Sequence, residues 1–534
     1  MMRTPDPKRR KSVAYNSAII SAFSGAAIVS SLLLDVVVTM LFGVGQETDA
    51  FFIASTIPLL VYIVLKRVCE VSLVPIFVRH HAQRGPEHTG KLFSTLLNLA
   101  LIFFPLLALL GAWASPLIVR IVGPGLSAEG MASAQDLSRW MFLSMGLAGP
   151  LSIVLARLNA RYSFAATAST DLIRNGTAIA AVLLFHPSWG ILAVGVGYLA
   201  GSIVQFLALL VVLKRQQVPY ALALDLDLPG VRDALQALAW PFVSQIGRQG
   251  VEIVERMLVS YLPAGTISAL KYAQRIMSAL INILLSSVSS ASLPLLADHL
   301  SKDNIGAFKH TLESSLKLVI SLALPLSVAL YVLRLPLAEF LFKRGMVTQQ
   351  SVALIASLLG LYALGIPFLG AVRMLLSSFY SSHDTRTPAI HLLLMAAVNT
   401  ALDVLLLQGL AAGGIALASS ISAAISAIRA GWLVHRRIGR FLTSTWRFLF
   451  KLLVASAAMG AVLYLGQAAL DQTRVLPETT IARALELALL GGLGLGTLLL
   501  MAYWLRIPEV LHVLSRLLRV FPLRRVDTPP GKVG

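Results

Sequence analysis

The run Pro116-Leu-Ile-Val-Arg-Ile-Val-Gly-Pro-Gly125 returns in outline as Pro336-Leu-Ala-Glu-Phe-Leu-Phe-Lys-Arg-Gly345, with its proline and glycine both displaced by 220 residues. Pro105 and Pro325 share that offset, Val74-Pro75 meets Leu293-Pro294 at 219, and Tyr162 meets Tyr380 at 218. A slowly drifting offset is what loop insertions leave in a duplicated chain. Chance matching of apolar sequence would not keep prolines and glycines in order. The duplication predicts two like halves with the same orientation, two lobes, and a substrate site at their interface.

The sequence around these runs is membrane sequence. Of 534 residues, 57% are hydrophobic and 13% charged, with a mean hydropathy of +0.79. A soluble chain of this size exposes far more charge. Apolar runs recur from Ser17 to Leu505, many of them at the roughly 20 residues that a helix needs to cross a bilayer core. They predict an all-α integral membrane protein with about fourteen spans. The expected spans are 17–43, 49–79, 92–121, 134–159, 165–186, 190–213, 236–262, 266–297, 306–333, 350–381, 387–408, 413–434, 447–468 and 482–505. They organise the chain into a cytoplasmic N-terminal segment (1–16), an N-lobe of six spans (17–214) and an inter-lobe linker (215–235). A C-lobe of six spans (236–438), two further spans (439–506) and a basic cytoplasmic tail (507–534) follow. The first apolar segment is too long for a signal peptide and is expected to stay as a helix.

The net charge of +19 reads as topology rather than as a nucleic-acid footprint. Lys and Arg hold loops in the cytoplasm. With Arg3, Lys8, Arg9, Arg10 and Lys11 placed inside, the loops of that side hold most of the remaining basic residues, from Arg79 and Arg84 to Arg436 and Arg437. The opposite loops offer little beyond Lys343, Arg344, Arg474 and Arg483. The imbalance is about sixfold and predicts both termini in the cytoplasm. The seven tryptophans fall near expected span ends, as an aromatic belt does. In the linker, Leu222–Leu228 mixes leucines with Asp225 and Asp227, which suits a short amphipathic element on the membrane surface.

Ionisable side chains within spans are costly, and normally face a protein interior or a wet cavity. The densest set lies on the seventh span: Arg248, Glu252, Glu255 and Arg256. Residues 248, 252 and 256 are four apart and share a helix face, so a self-neutralising ion-pair network and a polar cavity lining both suit them. Lys271 and Arg275 on the eighth span, Asp35 on the first, and Lys66, Arg67 and Glu70 on the second complete the group. Arg binds phosphate bidentately, and a pyrophosphate needs such compensation to enter a low-dielectric cavity. The candidate pyrophosphate ligands are therefore Arg248, Arg256, Arg275, Lys66, Arg67 and Lys271. The carboxylates Asp35, Glu252, Glu255 and Glu70 either orient these cations or take a coupling ion, Na+ or H+. Arg373 and Asp403, on the tenth and eleventh spans, suit either cavity or structure. His80, His81 and His88 read as a solvated rim. No cofactor is expected. One cysteine, Cys69, excludes a disulfide within the chain, and no Walker A or metal-ligand pattern stands out.

Several stretches resemble the MurJ (MviN) family of lipid II flippases, within the multidrug/oligosaccharidyl-lipid/polysaccharide exporter superfamily. They are Phe42-Gly-Val-Gly-Gln-Glu-Thr-Asp-Ala-Phe-Phe-Ile-Ala54, Gly265-Thr-Ile-Ser-Ala-Leu-Lys-Tyr-Ala-Gln-Arg-Ile276, Phe342-Lys-Arg-Gly345 and Phe379-Tyr-Ser-Ser-His-Asp-Thr-Arg-Thr-Pro388. The resemblance implies a two-lobed alternating-access transporter and an undecaprenyl-pyrophosphate-linked glycan, by default lipid II, as cargo. It also implies a lipid-tail groove on the last two spans and a place in the bacterial inner membrane, among membrane lipids and the enzymes of cell-wall or polysaccharide synthesis. Arg275 matches a family arginine. The family's first-span arginines fall in Val29-Ser-Ser-Leu-Leu-Leu-Asp35, where only the aspartate is present, and its second-span arginine pair falls near Val61-Tyr62. That departure keeps an exopolysaccharide or O-antigen repeat-unit flippase open beside lipid II. A cation-coupled drug exporter and a non-transporting scaffold are further alternatives.

Overall fold

A computed structural model describes residues 7–222, 224–382, 384–441, 445–473 and 480–510, without certain side chains inside helices, that of Arg248 among them. The segment 1–6 and the basic tail from 511 onward lie outside the described residues. Among the described residues every regular element is an α-helix: α1 Pro7–Phe42, α2 Gln46–Trp113, α3 Ser115–Val122, α4 Ala128–Met145, α5 Ala148–Ala160, α6 Phe164–Trp189, α7 Leu192–Arg215, α8 Val231–Val259, α9 Thr266–Ser301, α10 Ile305–Val332, α11 Arg334–Phe342, α12 Gln349–Ala363, α13 Ile366–Tyr380, α14 Arg386–Leu410, α15 Ala412–Ile438, α16 Thr445–Thr473 and α17 Thr480–Trp504. Nine stretches among the described residues are long and apolar enough to cross a membrane, or ten if α12 and α13, bent by 42°, form one span. One of the nine, α2, has 68 residues. At a rise of about 1.5 Å per residue it is long enough for two passes. It breaks at Gly85, where φ is +81°, between the expected spans 49–79 and 92–121.

The duplication is visible in the backbone. The short helices α3 and α11 hold the first seven residues of each quoted run, and both glycines follow the helix ends. The expected continuous spans 134–159 and 350–381 are each broken, at Gly146-Leu147 between α4 and α5 and at Leu364-Gly365 between α12 and α13, again 219 residues apart at the glycines. Both flanks of each break are apolar, so no charge marks it in the sequence. The left-handed Gly85 corresponds to Asp303, whose φ is +52°, in the turn between α9 and α10.

The chain divides into two compact units. One comprises Met1–Ile276, Leu341–Leu358 and Leu392–Ile415; the other comprises Met277–Phe340, Leu359–His391 and Ala416–Gly534. In the first, Leu73, Phe77, Leu92, Phe93, Leu151 and Leu158 form a dry core where both arms of α2 meet α5. In the second, Leu452, Leu463, Leu490 and Ala502 of α16 and α17 pack on one another and on Leu324 and Val328 of α10. Polar ties secure the same junction. Arg483 spans Glu339 of α11 at 2.9 Å and Glu486 at 2.7 Å, and Thr445 donates to Glu313 of α10 at 3.0 Å.

Two contacts in the first unit are mates under the repeat. The Gly125 amide donates to the Ser260 hydroxyl at 3.0 Å, and the Met346 amide to the Met40 carbonyl at 3.0 Å. A Cβ added to Gly125 would strike the Ser260 carbonyl, and one added to Gly345, where φ is +61°, would strike that of Met40. Met40 and Ser260 stand 220 residues apart, as the two glycines do. Glycine recurs in the quoted runs because each run crosses a backbone of the other half at a distance that admits no side chain.

Candidate functional site

The charges within the spans of the first unit fall into two clusters, and a buried tie holds the first of them. Asp49, at the start of α2, accepts the amides of Gly265 and Ser268 at 2.6 and 2.8 Å and the Ser268 hydroxyl at 2.7 Å. A carboxylate at a helix N-terminus satisfies amides that have no partner within the helix. It fixes α9 against α2, and with it the register of Lys271, Tyr272 and Arg275.

The first cluster joins α1, α8 and α9. Arg256 is buried, donates to the Phe52 carbonyl, and reaches Glu252 at 3.1 Å. Lys271 donates to the same Glu252 oxygen. Glu255 accepts from Gln274 at 2.7 Å. Arg275 Nε donates to Asp35 at 2.8 Å; the aspartate is buried, whereas the arginine side chain remains 42% exposed. Beneath it Tyr272 packs against Phe52 and Phe342, with ring centroids 5.4 and 5.1 Å away. The cluster thus holds one guanidinium committed to the protein, Arg256, and one that is oriented yet open, Arg275. The Arg248 side chain lies outside the described residues.

The second cluster joins α2, α6 and α7. Lys66 Nζ meets Asp171 at 2.6 Å, and the Tyr62 hydroxyl donates to the other oxygen of that carboxylate at 3.1 Å. Gln205 of α7 donates to the Tyr62 hydroxyl at 3.4 Å. The Arg174 guanidinium lies 4.4 Å from the centre of the Tyr62 ring, and its Nε has no hydrogen-bond partner. A cation over an aromatic face is attracted by the ring quadrupole while its N–H groups stay free. Asn175, the next residue, donates to Ser30 of α1 at 3.0 Å. Arg67 and Glu70 pair at 3.0 Å on the exposed flank of α2.

Asp171 and Arg174 are the residues that the sequence reading passed over, although ionisable groups in an apolar span were its own criterion. Their place is informative. The family's second-span arginine pair falls near Val61-Tyr62, and a guanidinium stands against Tyr62 here as well, supplied by α6.

Outside these clusters, Asp403 of α14 is buried. It accepts from Asn399 at 2.9 Å, keeps one oxygen without a partner, and lies within electrostatic reach of Glu255. Arg373 is exposed in the second unit. No group of three His, Cys, Asp or Glu among the described residues is placed to hold a metal. In the loop before α14, Asp384 accepts the Thr387 amide at 3.0 Å, which holds its carboxyl below the usual range. Its contribution to stability is therefore present near neutral pH, and is lost as the pH falls through that depressed value.

Comparison with known proteins gives the family and the fold. A sequence model of the lipid II flippase MurJ family matches residues 38–482. A probable lipid II flippase MurJ of Rhizobium tropici is 28% identical over 451 residues, covering 79% of this chain and 81% of that protein. The lipid II flippase MurJ of Burkholderia cenocepacia is 26% identical over 470 residues, covering 83% and 88%. Among solved structures, a lipid II flippase MurJ in an inward closed conformation matches with a TM-score of 0.76 at 23% identity, covering 92% of this chain and 99% of that one. An inward-facing multidrug resistance MATE transporter of the MOP superfamily matches at 0.69 and 14% identity, covering 78% and 96%. The fold is that of these transporters, and with the model match spanning most of its length, the chain belongs to the lipid II flippase MurJ family.

Proposed function

We propose that this chain moves lipid II from the cytoplasmic to the outer leaflet of a bacterial inner membrane by alternating access, with both termini in the cytoplasm. The observation that carries the reading is Arg275, aimed by Asp35 and still open along nearly half its side chain. A guanidinium so held presents paired N–H donors to a pyrophosphate without first having to be ordered. Arg174 and Lys66 add cationic character from α6 and α2, and Lys271 adds it from α9. Arg67 and Glu70, half exposed at membrane depth, suit a wet cavity far better than lipid. The sugar–peptide head group enters this polar region while the polyprenyl tail stays in the bilayer beside α16 and α17.

In this orientation the end of α1 at Met40 and the turns holding Gly125, Ser260 and Gly345 lie on the outer face, and their close backbone contacts shut that face. Transport then requires those contacts to part as the lobes 17–214 and 236–438 rock. Cargo and a coupling cation shift the balance only by binding the two states unequally. Asp403, with an unpartnered oxygen near Glu255, is the carboxylate best placed to take that cation, Na+ or H+. No observation favours an exopolysaccharide cargo, a drug cargo or a scaffold over lipid II.

The test is replacement of the flippase in a host whose own copy is depleted. The wild-type chain should restore growth and clear lipid II from the inner leaflet, and Arg275→Ala at equal expression should do neither. Full rescue by Arg275→Ala would overturn the site. Failure of the wild-type chain to clear lipid II would overturn the cargo.

A further inference from the structure

A second polar site lies away from both charge clusters, where the first arm of α2 ends and α8 begins. Arg79, Gln83 and Arg84 face Leu226–Gly230 of the linker and Arg232 and Asp233 of the first α8 turn across a cavity of about 550 Å³. The linker is strapped to α2 at both ends. At its start, Tyr220 donates to Asn98 at 2.7 Å, and the Ala221 amide to Ser94 at 3.0 Å. At its end, the His80 ring packs against Gly230, whose φ is +105°.

Two features mark this cavity as a ligand site rather than a solvated surface. Arg79, Arg84 and Arg232 make no hydrogen bond or ion pair among the described residues, although Asp227 and Asp233 line the same space. The α8 N-terminus opens there behind Gly230, which offers its amides no capping side chain. Unpaired guanidinium groups and free amide donors converge on an anion of phosphate type.

The neighbouring linker points to the source of that anion. Leu222, Leu224 and Leu226 expose 91%, 52% and 59% of their surface within five residues. They lie immediately before the cavity, at the level where the apolar part of α2 gives way to basic residues. Exposed leucines beside phosphate-binding arginines are the two halves of an interfacial lipid site. We propose that this cavity binds the headgroup of an anionic phospholipid of the surrounding leaflet, with the linker leucines seated among its acyl chains. The bound lipid ties the inter-lobe linker and the start of α8 to α2. The proposal needs only that the chain is membrane-embedded and is independent of the cargo.

Native mass spectrometry of the detergent-purified full chain, with phosphatidylglycerol or phosphatidylcholine added, tests it. The wild type should retain phosphatidylglycerol preferentially, and Arg79→Gln/Arg84→Gln/Arg232→Gln should lower that retention at least ~10-fold. Leu224→Ser/Leu226→Ser, which leaves the arginines intact, should lower it as well and guards against misfolding of the triple variant. Equal retention of the two lipids by the wild type, or undiminished phosphatidylglycerol retention in the triple variant, would overturn the proposal. Titration with inorganic phosphate separates the sources. Saturable phosphate binding that the triple variant loses, without preference for phosphatidylglycerol, would make the site one for a soluble anion and reject the lipid.

Discussion

The α1/α8/α9 cluster and the α2/α6/α7 cluster use the same residue types at membrane depth and arrive at different availabilities. In the first, Arg256 and Lys271 converge on Glu252, and the donors of Arg256 also serve a backbone carbonyl. Among the described side chains only Arg275, set on Asp35, remains open. In the second, Lys66 and Tyr62 occupy both oxygens of Asp171, and the Arg174 guanidinium is left against the Tyr62 ring with no carboxylate or carbonyl partner among the described residues. The difference teaches that a count of cations does not measure the capacity for an anion. A guanidinium whose N–H groups already serve carbonyls and carboxylates holds the protein together. One held by a single contact, or by a ring, has donors left for cargo.

The largest expected effect therefore belongs to Arg275. Arg275→Ala removes a charge-assisted contact of about 1.5–3 kcal/mol and leaves Asp35 buried without its partner, so flipping should fall by ~100-fold or more. Lipid II on the inner leaflet of a flippase-depleted host reads the loss. Arg275→Lys should recover part of it, since an ammonium keeps the charge but not the paired geometry. A lysine variant as active as the wild type would show that charge alone matters at this position.

Arg174 comes next. Arg174→Ala should slow lipid II clearance by about 10-fold, corresponding to one cationic contact of ~1.4 kcal/mol, while leaving the Lys66–Asp171 pair in place. Tyr62→Leu, which removes the ring beneath the guanidinium, should have part of the same effect. An Arg174→Ala protein with unaltered clearance would remove the second cluster from the binding site and reduce it to packing.

How much of this was legible beforehand follows from the range of each interaction. Spans show in composition, and the duplication shows in ordered prolines and glycines, because both signals are local. The Arg256–Glu252 pair shows as well, being four residues apart on one helix. Lys66–Asp171 joins residues 105 apart, and Arg275–Asp35 joins residues 240 apart. No spacing rule reaches that far, and so the sequence shows charges without showing which are spent. Arg174 was hidden for a related reason. Its charge shows in the span that it shares with Asp171, but its importance comes from Tyr62 on another helix. The breaks at Gly146 and Gly365 were silent because apolar residues flank both.

Arg256 should behave in the opposite sense to Arg275. Arg256→Met fills similar space but removes the charge-assisted bonds to the Phe52 carbonyl and to Glu252, for a loss of about 1.5–3 kcal/mol of stability. Thermal unfolding in detergent should move down, and the amount of folded protein should fall. Lipid II clearance per folded molecule should stay within ~3-fold of the wild type, less than half a decade on the scale where 1.4 kcal/mol is tenfold. A large loss per folded molecule at unchanged unfolding temperature would place Arg256 among the cargo ligands after all.

The smallest effect is expected at Arg67 and Glu70, and it sharpens the comparison because these two form a pair of their own. They face each other at 3.0 Å with both side chains about half exposed. Exposed pairs contribute only about 0.2–1 kcal/mol, much of it screened. Arg67→Gln/Glu70→Gln removes no net charge from the region and should leave both clearance and unfolding temperature nearly unchanged. The single variants separate what the pair hides. Arg67→Gln leaves Glu70 as an uncompensated anion beside the cargo and should slow clearance by ~2- to 5-fold, whereas Glu70→Gln frees a cation and should not slow it. Equal losses from both single variants, restored in the double, would instead mark the pair as a structural tie of α2, as Arg256 and Glu252 are for α8.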